Sequence, residues 1–219
     1  MDHVQPLFRP ARPADADATV PLIYSSGPAA FDYVFDVPGR GSAQDFLKDA
    51  FIDGAGEFGW RNHVVGELDG RVVAAGAAWD GTSTFAFTRA ALAQILSRYG
   101  VVAGTGVAVR GLRVESVVQP PPRDLWYVAH LGVPADLRGR GIGEALVLRL
   151  LELGRARGFV RTGLDVAVTN PAAERLYARL GYVLVRERAS RLANDRARVP
   201  AHRRMEGEIA AIAARITRR

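Results

Sequence analysis

The stretch from Leu125 to Gly143, LWYVAHLGVPADLRGRGIG, constrains this chain more than any other. An apolar run ends at Val133, and Pro134 breaks it. A short polar loop then leads to Gly139, Arg140, Gly141 and Gly143, with Ile142 among them, and a strongly apolar helical pattern begins. Strand, glycine-rich turn and helix N-terminus in this order make an anion cradle. The first helical turn has backbone N–H groups without partners, its dipole favours negative charge, and glycine lets the backbone approach a ligand closely. The expected occupant is the pyrophosphate of a large cofactor. Two familiar phosphate motifs do not fit. A dinucleotide fingerprint needs G-x-G-x-x-G, whereas Glu144 takes the last place here and too little chain follows for a doubly wound domain, although Asp165 on the next strand could mimic the ribose-binding acid. A P-loop needs Gly-Lys-Ser/Thr, which the chain lacks.

The elements around this stretch follow from periodicity and punctuation. Leu7–Ala11 reads as a short edge strand because of Pro10. Asp15 and Asp17 open a helix through Tyr24, and further helical pieces cover Ala29–Tyr33 and Ala43–Ile52. Arg61–Leu68 and Arg71–Trp79 are strand-like runs joined by Asp69-Gly70, a strong hairpin signal. Residues 82–123 form an insertion with helices expected at Phe87–Tyr99, stopped by Gly100, and at Val107–Val118. After the cradle come a helix over Gly143–Arg157, a strand at Leu164–Val168, a helix capped by Asn170-Pro171, and a strand from Tyr182. A polar piece at about 188–197, a strand at His202–Ile209 and an apolar, basic end (210–219) close the chain. A hairpin followed by β-α-β crossovers predicts a mixed sheet with helices on both faces.

Two segments together resemble the signatures of the GCN5-related N-acetyltransferase (GNAT) superfamily. Arg138, Gly141 and Gly143 match its Arg/Gln-x-x-Gly-x-Gly/Ala pattern after the Leu131-Gly132-Val133-Pro134 strand end. Asn170-Pro171-Ala172-Ala173-Glu174-Arg175-Leu176-Tyr177-Ala178-Arg179-Leu180-Gly181-Tyr182 is similar to its second signature. The resemblance is specific over about 125–185, extends to 5–80 through element order alone, and is silent on the insertion. It implies one α/β domain over residues 1–219, an α+β arrangement with a central mixed, mostly antiparallel sheet. It also implies acetyl-CoA as acyl donor, no metal, and direct transfer to a primary amine of a small molecule or a peptide N-terminus.

On this reading the pyrophosphate meets the backbone of Arg138, Gly139, Arg140, Gly141, Ile142 and Gly143, with the two arginines adding charge. The resemblance puts pantetheine and thioester contacts on Leu131, Gly132 and Val133, whose backbone N–H groups are candidates to stabilise an oxyanion. It makes Tyr177 the acid for the departing thiolate, although Tyr177 also falls on an apolar helix face with Ala173, Leu176 and Leu180 and suits a core aromatic equally. Asn170 is a helix cap, a pantetheine contact, or both. For the base, His130 is the only histidine near the cradle, and it suits a hydrogen-bonded histidine on a buried strand better; a strict period of two turns it away from Ala129 and Leu131, and a bulge at Gly132 would disturb that count. Glu67 and Asp124 are further candidates, and Asp165 reads as structural.

The chain contains no cysteine, which excludes disulfides, thiolate nucleophiles and cysteine metal sites. Its net charge of +6 resides entirely in residues 186–219, where ten arginines face four acidic residues. Such a tail suits solvated arginines on an amphipathic helix and an edge strand better than nucleic-acid contact. The first ten residues lack the pattern of a signal peptide, and no uninterrupted apolar run approaches a membrane span, so a cytoplasmic protein without membrane contact is expected. The sequence is compatible with a homodimer. Arginines 89, 98, 110, 113 and 123 in the insertion suggest a mildly acidic acceptor. A second functional reading is a CoA-binding regulatory module without catalysis.

Overall fold

In a computed structural model describing residues 5–218, the chain forms a seven-stranded sheet with helices on both faces. Residues 1–4, within the stretch read for a signal peptide, and Arg219 at the basic end lie outside the described residues. The strands are β1 (Leu7–Pro10), β2 (His63–Leu68), β3 (Arg71–Trp79), β4 (Leu125–Gly132), β5 (Arg161–Ala167), β6 (Val183–Arg188) and β7 (His202–Glu208). The helices are α1 (Ala16–Ser25), α2 (Pro28–Phe35), α3 (Ala43–Asp53), α4 (Thr84–Val114), α5 (Ile142–Ala156), α6 (Pro171–Leu180) and α7 (Ile209–Thr217). The order across the sheet is β1-β2-β3-β4-β5-β7-β6, antiparallel throughout except between β4 and β5.

Alternation along the strands divides the core. Val64, Trp126 and Val128 face α5 and α7, where they pack with Leu146, Val147, Leu150, Leu151, Ile209 and Ile212. Val65 faces the other way, into a cluster built by α1, α2, α3 and α4 from Val20, Ile23, Phe35, Phe46, Leu47, Phe51 and Tyr99. The Asp69-Gly70 turn has positive φ at both residues (50° and 74°), the backbone signature of a type I′ hairpin. Helix α3 begins with a reciprocal Ser42/Asp45 capping box and ends on left-handed Gly54.

The insertion differs from expectation in its boundaries. Helical hydrogen bonding runs from Thr84 to Val114, and Gly100 (φ 72°, ψ 177°) breaks it into two arms. The second arm starts directly after Gly100 instead of at Val107. Val101–Gly106 has weak intrinsic helix propensity, but this arm also places Val107 in the core beside Ile95 and Tyr99 of the first. Gly104 permits the approach: a Cβ there would sit 3.3 Å from Leu96 and 3.4 Å from Ile95. Residues 115–118, expected to be helical, are turn and bend instead. By length and composition, Gly81–Val114 could cross a bilayer, although no single unbroken helix does so because Gly100 intervenes.

The C-terminal segment belongs to the sheet. β7 inserts between β5 and β6, and α7 packs against α5. Two of its arginines have fixed partners: Arg203 bonds Glu174 and Glu187, and Arg204 bonds Asp165. The polar piece before it reaches across to the helical layer, where the Asn194 side chain donates to the Tyr33 carbonyl at 3.0 Å.

One glycine sets how closely α5 lies on the sheet. A Cβ at Gly154 would stand 2.5–2.6 Å from the Trp126 ring, which is fully buried and held by its Nε1 bond to the Leu150 carbonyl at 2.8 Å. Alanine there gains about 1 kcal/mol of helix propensity, but the overlap requires α5 or the indole to move. Gly154→Ala is therefore expected to destabilise the protein by about 1–3 kcal/mol, measured by denaturant unfolding at constant m-value.

Candidate active site

β4 and β5 are paired for only three residues each, Leu125–Tyr127 against Arg161–Gly163. Both strands continue beyond that point, β5 paired with β7 and β4 with β3, so a cleft opens between them. It forms part of a cavity of about 890 Å³ lined by β4, β5, the cradle, α6 and, on the far wall, α2 and both arms of α4. The Tyr127 hydroxyl donates to Asp165 at 2.8 Å, and Arg204 Nε donates to the same carboxylate at 2.9 Å. This buried network ties β4, β5 and β7 together where the pairing ends, in keeping with the structural role read for Asp165.

At one end of the cavity the cradle has the expected geometry. Gly139 and Gly141 have φ of 76° and 83°, a conformation that penalises other residues, and a Cβ at Gly139 would meet nothing within 4 Å. Gly141 is the N-cap of α5, and no side chain caps that helix. The orphan N–H groups of its first turn therefore suit an anion. Arg138 lines the cavity and donates from Nε to the Val133 carbonyl at 3.0 Å. Arg140, expected at the anion, is not part of the lining; it donates to the Asp136 carbonyl instead. The Ile142 side chain is in the core, so only its backbone is available to the cradle.

Leu131, Gly132 and Val133 all line the cavity, but the reason for Gly132 lies behind the strand. A Cβ there would be 2.4 Å from the Leu22 carbonyl oxygen, so glycine permits the close approach of α1. Asn170 both lines the cavity and caps α6 by accepting from Ala173 N at 3.1 Å. Tyr177 combines its two sequence readings: its ring packs in the core against Tyr182, and it lines the cavity. Among the described residues none hydrogen-bonds its hydroxyl, and burial pushes its pKa up to about 12.

His130 departs most from the strict alternation. Between Ala75↔Gly132 and Ala77↔Ala129 the register slips, so β4 carries one residue more than β3. His130 has φ 56°, a costly left-handed conformation for a non-glycine residue. This bulge lies ahead of Gly132 and sends Leu131 toward α5 and His130 toward the helical layer. There the imidazole meets Phe58 (centroids 5.1 Å apart), Trp79 (5.5 Å) and Phe31 (6.3 Å). Its Nε2 is 3.3 Å from a carboxylate oxygen of Glu57, and its Nδ1 is 3.2 Å from Nε2 of His63.

Glu57 and His63 had no signal in the sequence. Glu57 occupies an irregular segment after α3, and His63 is separated from His130 by 67 positions. Glu67 and Asp124, the carboxylates named from sequence, are elsewhere: Glu67 pairs with Arg9, and Asp124 with Arg161. The insertion arginines do not line the cavity, whereas Glu115 does; burial and the nearby Glu57 charge raise its pKa. Arg98 bonds Asp49, and Arg110 holds the Val34 carbonyl.

The sequence profile of the Acetyltransferase (GNAT) family matches residues 35–182. This chain belongs to that family. Comparison with curated proteins gives no match. Among solved structures, an N-acetyltransferase from Staphylococcus aureus Mu50 superposes with a TM-score of 0.66 at 17% identity, covering 92% of this chain and 100% of its own. A Drosophila melanogaster polyamine N-acetyltransferase gives 0.54 at 17% identity, with coverages of 92% and 99%. A Salmonella typhimurium protein whose structure contains its cofactor acetyl-CoA gives 0.53 at 14%, with coverages of 94% and 95%. At these identities the likeness is one of GNAT fold.

The buried histidines have a consequence for stability. Burial, reinforced by the neighbouring His130 charge, pushes the His63 pKa down to about 3, and burial also lowers that of His202. A histidine freed by unfolding titrates near 6.5, so below that pH the unfolded state binds protons that the folded state refuses. The stabilisation is complete above about pH 6.5 and is lost as pH falls toward 3. The thermal midpoint should drop over that interval, and His63→Gln, which has no ionisable group, should show a shallower drop.

Proposed function

We propose that this GNAT protein transfers an acetyl group from acetyl-CoA directly to a primary amine that reaches the site as a cation on an apolar body. The observation that carries the reading is the division of one cavity. Its cradle end offers backbone N–H groups and Arg138, whereas its far end offers Glu57, Glu115 and an aromatic wall of Phe31, Phe58, Trp79 and Phe87. Carboxylates and aromatic faces attract an ammonium group. A peptide N-terminus meets the same description, and a small amine with an apolar chain meets it best.

The cradle residues 138–143 would hold the pyrophosphate, and the β4 edge at Leu131–Val133 the pantetheine arm. Bound acetyl-CoA supplies an activated thioester carbonyl. The bulge leaves an extra residue on β4 outside the regular ladder, which favours a backbone N–H there as donor to the oxygen that becomes negative during attack. An arriving ammonium must lose a proton before its nitrogen can attack. His130 Nε2 accepts it, and Glu57 stabilises the imidazolium that forms. Tyr177 lines the cavity and would face the departing sulfur. With its pKa raised to about 12, full proton transfer to a thiolate, whose thiol titrates near 8.5, is uphill. The phenol therefore acts first as a hydrogen-bond donor to the sulfur.

The test is thiol release from acetyl-CoA against a panel of amines. Cationic amines with apolar chains should support turnover, and amines carrying carboxylates should not. Tyr177→Phe should retain its fold, because the hydroxyl has no protein partner among the described residues, and should lose about a hundredfold in kcat. Tight acetyl-CoA binding without acceptor-dependent thiol release across the panel would instead favour the regulatory module.

A further inference from the structure

We infer that His63 is a positioning residue that fixes the tautomer of His130, leaving Nε2 of His130 as the proton-accepting atom in the cavity. The inference rests on the proposed role of His130 and concerns a residue outside the cavity lining. It follows from two linked hydrogen bonds that begin at a group with no choice of role.

The Gly59 carbonyl can only accept. His63 Nδ1 is 2.9 Å from it and therefore carries hydrogen. His63 is neutral at working pH, since burial drives its pKa to about 3; with Nδ1 protonated, its Nε2 has a lone pair and no hydrogen. That lone pair is 3.2 Å from His130 Nδ1, which must be the donor. The two rings lie within 10° of parallel with centroids 5.3 Å apart, so they meet edge to edge as an in-plane bond requires. With hydrogen on Nδ1, neutral His130 has its lone pair on Nε2, the atom 3.3 Å from Glu57. Neutral histidine in water favours the opposite tautomer, with hydrogen on Nε2. Left to that preference, His130 would donate to Glu57 and have no acceptor for a substrate proton.

Glu57 can only accept and so favours hydrogen on Nε2, whereas among the described residues the His63 contact alone favours hydrogen on Nδ1. The groups around the His130 ring are Phe31 from α2, Phe58 and Glu57 from the segment before β2, Trp79 from β3 and His63 from β2, and only His63 is placed to accept from Nδ1. Glu115 of the same cavity is the remaining carboxylate nearby. The chain also fixes the ring as a second hold beyond the bulge, since His63 packs on Phe51 of α3 (centroids 5.6 Å apart) and is itself buried.

The experiment combines nitrogen-15 NMR of the histidine side chains with kinetics on three proteins: wild type, His63→Leu and His63→Gln. Leucine removes the acceptor, whereas glutamine puts a carbonyl oxygen close to where Nε2 was. In spectra of the wild type, the His130 form that carries one ring proton should show hydrogen on Nδ1 and a bare Nε2. His63→Leu should shift His130 toward the Nε2–H form and lower kcat tenfold to a hundredfold, with KM for the amine changed less than twofold. His63→Gln should keep the wild-type tautomer and recover most of the lost kcat. A wild-type His130 with hydrogen on Nε2, or a folded His63→Leu protein with an unchanged tautomer, overturns the inference. If leucine prevents folding, the wild-type and glutamine spectra decide by the same criterion. The spectra need no acceptor, so absent thiol release alongside the expected tautomers would count against the proposed activity and not against the lock.

Discussion

The site depends on a single backbone irregularity, the extra residue that β4 carries opposite β3. Regular alternation would place His130 on the α5 face, inside an apolar layer with no partner for an imidazole. The bulge reverses its direction at the cost of a left-handed backbone, about 1–3 kcal/mol for a residue of this kind. The reversed ring gains an aromatic enclosure and two hydrogen-bonding neighbours. The same slip coincides with the stretch where β4 has parted from β5. One stretch of β4 thus combines the cleft with the side chain that faces it.

The two ends of the cavity are built on different principles. The cradle uses main-chain groups almost alone, with glycines that allow left-handed turns and a helix start that no side chain caps. The far end uses side chains gathered from α2, α4, β3 and the segment before β2. This division explains which parts were legible in the sequence. Gly139, Gly141, the Asp69-Gly70 turn and the Asn170-Pro171 cap are local: each residue type is chosen for a backbone conformation within a few positions of itself. Their structural outcome could be read from spacing. Glu57 and His63 acquire their significance only when β2 and β4 are brought together across β3 and the segment before β2 folds over them, and nothing adjacent in sequence marks them.

The insertion departs from its linear reading in two ways. Val101–Gly106 has Ala103 as its one strong helix former, yet it is helical because Val107 and Gly104 let the second arm of α4 pack on the first; tertiary contact overrides propensity there. The arginines of the insertion suggested an anionic acceptor when counted as charge on a line. In three dimensions Arg98 and Arg110 turn to partners on α2, α3 and the loop between them, and the carboxylate of Glu115 faces inward. Arg140 follows the same pattern, spending its guanidinium on a nearby carbonyl. Tyr177 and Asn170, in contrast, did not have to choose between core or cap and cavity, because each does one with its ring or side chain while remaining at the cavity wall.

The position of β7 between β5 and β6 has a consequence for how the molecule comes together. β6 is synthesised before β7 yet among the described residues pairs with no other strand, and three successive residues of it, Val183, Leu184 and Val185, are more than half exposed even in the finished sheet. Until the last strand arrives, β5 has an open edge, Asp165 lacks its arginine, and β6 waits as an apolar segment with unsatisfied main-chain groups. Closure of the sheet, and with it the floor of the cleft, is therefore a late event in assembly. It leaves an interval in which β6 can pair with the wrong edge, including that of another copy.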